Sequence, residues 1–217
     1  MLRFAFDRPD GGTPLKVLCL GAHSDDIEIG CGGTVLRLGR ENPNTCFTWV
    51  VFSSDQERAA EARRSADSFL ACVPDRTVLV EGFRDGYFPY IGTQVKDCFE
   101  QLKRLSPDVI FTHYREDRHQ DHRLVSDLTW NTFRDHLILE YEIPKYDGDL
   151  GSPNLFVHLD EPTIHGKIDR IVEHFLTQDN RHWFTRETFL SLLRLRGIES
   201  RSPGGYAEGF HCRKVTM

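Results

Sequence analysis

His23, Asp25 and Asp26 crowd into four positions just after an apolar run, VLCL at 17–20, that ends in a small-residue turn. Far along the chain, His119-Gln120-Asp121-His122 follows a second apolar run, VIFT at 109–112. His23 and Asp26 are three residues apart, so a helix beginning near Asp26 lets both face one point above the strand end. His122 would complete a set of two nitrogens and one oxygen. Borderline divalent ions take such ligands at roughly 2.0–2.2 Å, and three protein ligands leave a position open for water, as in catalytic sites. Asp25 adjoins the set but points elsewhere, placed to take a proton from that water. A single histidine at a strand end is ordinarily a solvated or capping residue. Two His/Asp clusters in the same context favour the metal reading over that one.

Open α/β sheets place their chemistry at the carboxyl ends of the strands, and the rest of the sequence fits such a frame. Buried strands are expected over residues 16–21, 45–52, 78–80, 108–112 and 155–159. Helices are expected over 27–38, 56–71, 93–105, from 123, from 161, and over 186–196. Residues 115–123 and 141–153 read as loops, the latter holding Tyr141, Tyr146 and Asp147, and the chain closes in a glycine-containing tail. Alternation of strands with helices of this length predicts a largely parallel, helix-covered sheet. The expected fold is a Rossmann-like three-layer α/β/α sandwich with a mainly parallel sheet, in one domain spanning residues 1–217. Gly30, Gly32 and Gly33 fall early in the first helix, where glycine is costly. They imply close approach of backbone to sheet or ligand, or a loose helix start.

The formal net charge of −6 argues against non-specific nucleic-acid binding, since nothing offsets phosphate repulsion. No apolar leader segment precedes the first strand and no 18-residue apolar run occurs, so a non-exported, cytoplasmic protein without a membrane span is expected. Six cysteines without a CxxC pair read as free thiols in a reducing compartment. Oligomeric state has no sequence signal.

AHSDDIEIGCGGT, residues 22–34, resembles the AHPDDE-type signature of the LmbE/PIG-L family of metal-dependent N-deacetylases, and HQDH, 119–122, resembles its HPDH signature. SPDVIFTH, the Arg58/Glu61 spacing, the RDG turn at 84–86 and YAEGF at 206–210 fit the same pattern. The resemblance implies that His23, Asp26 and His122 bind Zn2+, with Fe2+ the other candidate. It makes Asp25 the general base and His119, as an imidazolium, the group that stabilises the oxyanion. The implied substrate is a small amino-sugar conjugate of the N-acetylglucosamine type, hydrolysed to free amine and acetate. Arg58, Arg84 and Asp85 are then candidates for the sugar pocket, and Asp121 for orienting a ligand imidazole or for simple capping. His113 reads as lining the site or as a polar strand terminus. Tyr206 and Glu208 read as site residues or as a packing residue and a salt-bridge partner. Ser24 and Gln120 replace prolines of the two signatures, and Ile27 stands where the family has Glu, with Glu28 one place on.

Three other readings compete. A Rossmann oxidoreductase is disfavoured because GxGxxG does not follow the first strand. A metal phosphohydrolase would call for a second cation. A non-catalytic metal- or sugar-binding protein would not require the base beside the ligands.

Overall fold

The computed structural model describes residues 13–216; all but the end of the N-terminal stretch read for a leader lies outside them. Seven strands form one sheet: β1 Lys16–Gly21, β2 Cys46–Ser53, β3 Asp75–Phe83, β4 Val109–His113, β5 Leu137–Tyr141, β6 Leu155–His158 and β7 Ala207–Cys212. Six α-helices cover it: α1 Asp26–Glu41, α2 Gln56–Phe69, α3 Gly92–Leu102, α4 Gln120–Thr132, α5 Glu161–His174 and α6 Arg186–Glu199. The sheet order is β3-β2-β1-β4-β5-β7-β6. The first five strands in that order pair in parallel, and β7 runs antiparallel to both β5 and β6. The architecture is the expected three-layer sandwich with a mixed, mostly parallel sheet. No helix among the described residues is long and apolar enough to cross a membrane.

Strand alternation divides the interior in two. Val17 and Cys19 of β1, with Val109 and Phe111 of β4, pack beneath α1, α2, α5 and α6. Leu18, Leu20 and Ile110 point the other way, toward α3 and α4. Both faces are apolar because both are covered, which explains why these strands read as continuous hydrophobic runs.

The chain leaves β1 in one direction and β4 in the other, so the sheet has its topological switch point between them. The crevice at such a point is where open α/β sheets bind ligands. Both His/Asp clusters sit there, one after each strand.

The early glycines of α1 serve close packing against the protein itself. A Cβ on Gly30 would run into the ring of Tyr141, and one on Gly33 would stand 2.9 Å from Oε1 of Glu208. The helix is regular from Asp26 onward, so the loose-start alternative falls away.

Several elements differ from expectation. Tyr141 is the buried last residue of β5 rather than part of a covering loop. The glycine-containing tail holds β7, an internal strand. The HQDH segment opens α4 instead of lying in a loop, with His119 at the N-cap. β3 extends well beyond the 78–80 core.

Candidate active site

Asp25 occupies the N-cap position of α1 but makes no capping bond. Its Oδ1 instead receives a hydrogen bond from Nη2 of Arg58 at 3.1 Å. Arg58 stands in the first turn of α2, whose N-cap is Asp55, accepting from the Arg58 amide at 2.8 Å. Burial raises the pKa of Asp25 above the ordinary carboxylate value, and the Arg58 charge offsets part of that rise. The arginine that the sequence places among sugar-pocket candidates thus lies against the candidate base.

Asp26 turns inward. Its Oδ2 accepts the backbone N–H of His23 at 2.6 Å and lies 3.2 Å from Nε2 of His113. Burial works against a charge on Asp26, but the surrounding imidazoles of His122, His113 and His23 hold its pKa well below the ordinary value. An anion at the N-terminus of α1 is also favoured by the helix dipole.

His23 and His122 face one another, Nδ1 to Nε2, at 3.1 Å. Asp26 completes the triangle, 3.5 Å from His23 Nδ1 and 3.5 Å from His122 Nε2. Nδ1 of His122 meets Oδ2 of Asp117 at 2.9 Å, so that nitrogen carries the proton and Nε2 presents a lone pair to the centre. On His23 it is Nε2 that meets acids, Asp85 at 3.0 Å and Asp121 at 3.4 Å. Its Nδ1 is therefore the nitrogen turned inward. A proton on His23 Nδ1 or a cation between the three satisfies two imidazole nitrogens and a carboxylate so placed. Ligands at the usual bond lengths around a tetrahedral ion stand about 3.3 Å apart, close to the observed separations. The residues fit a divalent cation.

The two histidines differ in their electrostatics. Burial, first of all, pushes the His122 pKa down to about 3, which keeps the ring neutral. Burial also opposes a charge on His23, yet Asp121, Asp26 and Asp85 outweigh it and raise that pKa well above the ordinary value. Asp85, half open to solvent, is held at about 2 by its hydrogen bond to His23.

Among the described residues, three groups bring ligand atoms within 4.8 Å of one another: His23, His119 and His122; His23, Asp85 and Asp121; and Asp26, His113 and His122. Nε2 of His113, however, already accepts the Ala22 amide at 2.9 Å. It lies within 3.3 Å of the Tyr141 hydroxyl, which itself donates to the Leu20 carbonyl at 2.6 Å. His113 is thus a buried brace between β1, β4 and β5, and its lone pair is in use.

His119 places its ring edge-on to His23, centroids 4.8 Å apart. Its Nδ1 accepts the Asp121 amide at 3.3 Å, which leaves Nε2–H as a donor. Burial, and then the charge on His23, lower the pKa of His119. Both effects disfavour the imidazolium that the family resemblance implies. Asp121 faces His23 rather than its neighbour His122, and it accepts the amides of Gly86 at 2.7 Å and Phe88 at 3.1 Å. It thereby ties the 84–88 turn to the site. Gly86 takes a left-handed backbone there, φ +76°, a conformation glycine adopts at no steric cost. Arg84 lies over the Tyr87 ring at 3.7 Å at the rim.

Sequence reasoning overlooked Asp117. An acid five residues before the last histidine of HQDH was the available signal, but charged loops offer many such acids. Glu208 and Lys167 form a buried pair at 2.6 Å, and Glu208 also takes the amides of Gly33 and Thr34. Glu208 therefore braces α1 from behind, and Tyr206 packs under Arg194.

The family model described as PIG-L, GlcNAc-PI de-N-acetylase, matches residues 18–133, more than half of the chain and both clusters. The chain belongs to the PIG-L family. Solved structures share the fold across nearly its whole length. A conserved protein of Thermus thermophilus is 20% identical with TM-score 0.75, covering 94% of this chain and 96% of that one. N,N'-diacetylchitobiose deacetylase from Pyrococcus horikoshii is 21% identical with TM-score 0.72, covering 91% and 83%. 4-Carboxy-2-hydroxymuconate hydratase from Pseudomonas putida is 16% identical with TM-score 0.69, covering 94% and 98%. At these identities the likeness shows the fold, and the names of the last two show that proteins of this fold differ in reaction.

Proposed function

We propose that this PIG-L family member is a metal-dependent N-deacetylase that hydrolyses the acetamide of an N-acetylglucosamine-type conjugate to free amine and acetate. The observation that carries the reading is the convergence of His23 Nδ1, His122 Nε2 and Asp26 within 3.5 Å, with Asp25 adjoining. His23, Asp26 and His122 would hold the cation, Zn2+ in the first instance and Fe2+ as the other candidate. When bound, a divalent cation supplies Lewis acidity, which acidifies water and polarises a carbonyl oxygen.

Asp25, its pKa raised by burial, accepts a proton as water attacks the amide carbon. Arg58 keeps it charged in the resting state. The tetrahedral oxyanion that forms needs a donor, and His119 Nε2–H is available for it. Collapse expels the amine, and Asp25 returns the proton to the nitrogen. Asp85 and Arg84, at the rim beside the exposed Tyr87, suit the hydroxyls and ring face of a sugar.

The test is release of amine and acetate from a panel of N-acetylglucosamine conjugates by zinc-loaded protein, with Asp25→Ala alongside. Metal-dependent release that drops about 10²–10⁴-fold in the variant is the expected outcome. Tight zinc binding with no release from any conjugate would overturn the reaction and favour a binding role.

A further inference from the structure

Behind His122, on the side away from His23, stands a row of buried charges that the chemistry above does not use. Oδ2 of Asp117 meets His122 Nδ1 at 2.9 Å and accepts from Lys145 Nζ at 2.9 Å. Its Oδ1 accepts the His119 amide at 2.8 Å. Lys145 Nζ also donates to Asp149, whose carboxylate takes the Arg118 amide at 2.6 Å. The side chains of Asp117, Lys145 and Asp149 are 3%, 8% and 6% exposed. Carboxylates and an ammonium this far from water are costly unless each is paired and hydrogen-bonded, and here each is.

The segment that brings Lys145 to this place is clamped at both ends. Oε1 of Glu142 accepts the Gly151 amide at 2.9 Å and the Arg196 guanidinium at 2.8 Å, and Arg196 also donates to the Gly151 carbonyl at 3.1 Å. Residues 142–151 are thus closed into a loop by α6, with Lys145 held inside it. One carboxylate, Asp117, then sets the ring of His122 and the backbone of His119 together.

We propose that Asp117 and Lys145 are positioning residues for the metal centre. Asp117 fixes His122 in the tautomer whose Nε2 lone pair faces His23 and Asp26, and Lys145 fixes Asp117. The inference rests on the reading of His23, Asp26 and His122 as cation ligands. An isosteric amide at 117 has one oxygen where the carboxylate has two. With that oxygen toward His122 and Lys145, its NH₂ group meets the His119 amide N–H; turned round, the NH₂ group meets the ammonium of Lys145 and the protonated nitrogen of His122.

The experiment measures Zn2+ affinity of the purified full chain by competition with a chromophoric chelator, together with the visible spectrum after Co2+ loading. Asp117→Asn is expected to bind Zn2+ about 10–100-fold more weakly, the usual consequence of losing a carboxylate behind a ligand histidine, and to shift the Co2+ bands. Lys145→Met should move both readouts in the same direction, and Lys145→Arg should restore them. If Asp117→Asn does not fold, the two Lys145 variants carry the test. Wild-type affinity and spectrum in Lys145→Met and in any folded Asp117→Asn would overturn the proposal and leave the metal reading intact. A wild-type chain that binds neither Zn2+ nor Co2+ would instead overturn the metal reading, and the proposal with it.

Discussion

Glu28 stands two residues beyond Asp26, fully buried, and neither of its carboxyl oxygens has a hydrogen-bond partner among the described residues. Burial raises its pKa well above the ordinary value; the nearby Ser65 hydroxyl opposes the rise in part, while the charges of Asp25 and Asp26 add to it. The folded chain therefore keeps this acid neutral while the unfolded chain ionises it above about pH 4.3. Over that window the native state binds more protons, so stability falls as pH rises, by up to about 1.4 kcal/mol per unit from this group alone. Glu28→Gln removes the proton difference at almost constant shape. The variant should match the wild type near pH 4 and exceed it in stability at pH 8, measured by urea unfolding at both values. Equal stabilities at pH 8 would mean that Glu28 is ionised and paired in solution.

At the scale of elements, α1 must lie very close to β5 for Asp26 to reach the centre. Gly30 makes that approach, and the Tyr141 ring opposite is pinned by its bond to the Leu20 carbonyl. Gly30→Ala gains about 1 kcal/mol of helix propensity but forces an overpacked contact that costs about 1–3 kcal/mol. A net loss in urea midpoint is expected. Gly92→Ala, where a Cβ meets nothing within 4 Å, should be neutral or stabilising in the same assay. The contrast shows what was legible in sequence. β1 and β4 were, because both faces of each are covered and Val17 to Leu20 and Val109 to Phe111 are apolar. β5 and β7 were not, because Glu140, Glu208 and His211 interrupt their patterns. Those residues are accommodated by partners from elsewhere: Arg213 and Trp130 for Glu140, Lys167 and Thr34 for Glu208. Only the assembled fold supplies them.

At the scale of the whole molecule, the candidate ligands come from two βα units, β1–α1 and β4–α4, that meet at the switch point. A cation bound there favours the folded chain, by about 4 kcal/mol when free metal is a thousandfold above its Kd. Thermal unfolding should therefore shift upward with Zn2+ and return on chelation, and His122→Ala should abolish the shift. The shift should also depend on pH with a definite sign. A proton on His23, whose pKa is raised, competes with the cation. The metal-induced increase should be full above that pKa and should shrink as pH falls through it. A shift that grew on acidification would contradict the ligand assignment.

The sequence by itself determined the features that depend on neighbours in the chain. Two strands end in His/Asp clusters, His23 and Asp26 are placed three apart for one face of a helix start, and strand–helix alternation dictates a largely parallel sheet. The tertiary structure decided which imidazole nitrogen faces the centre, that Arg58 lies against Asp25, that Asp121 serves His23, and that Asp117 and Lys145 stand behind His122. It also set the antiparallel strand inside the sheet. Apart from Asp117 and His122, these pairings join residues more than twenty positions apart. Local propensity acts over a turn or a strand, so the partners of buried charges are chosen only when sheet order and helix packing bring them together.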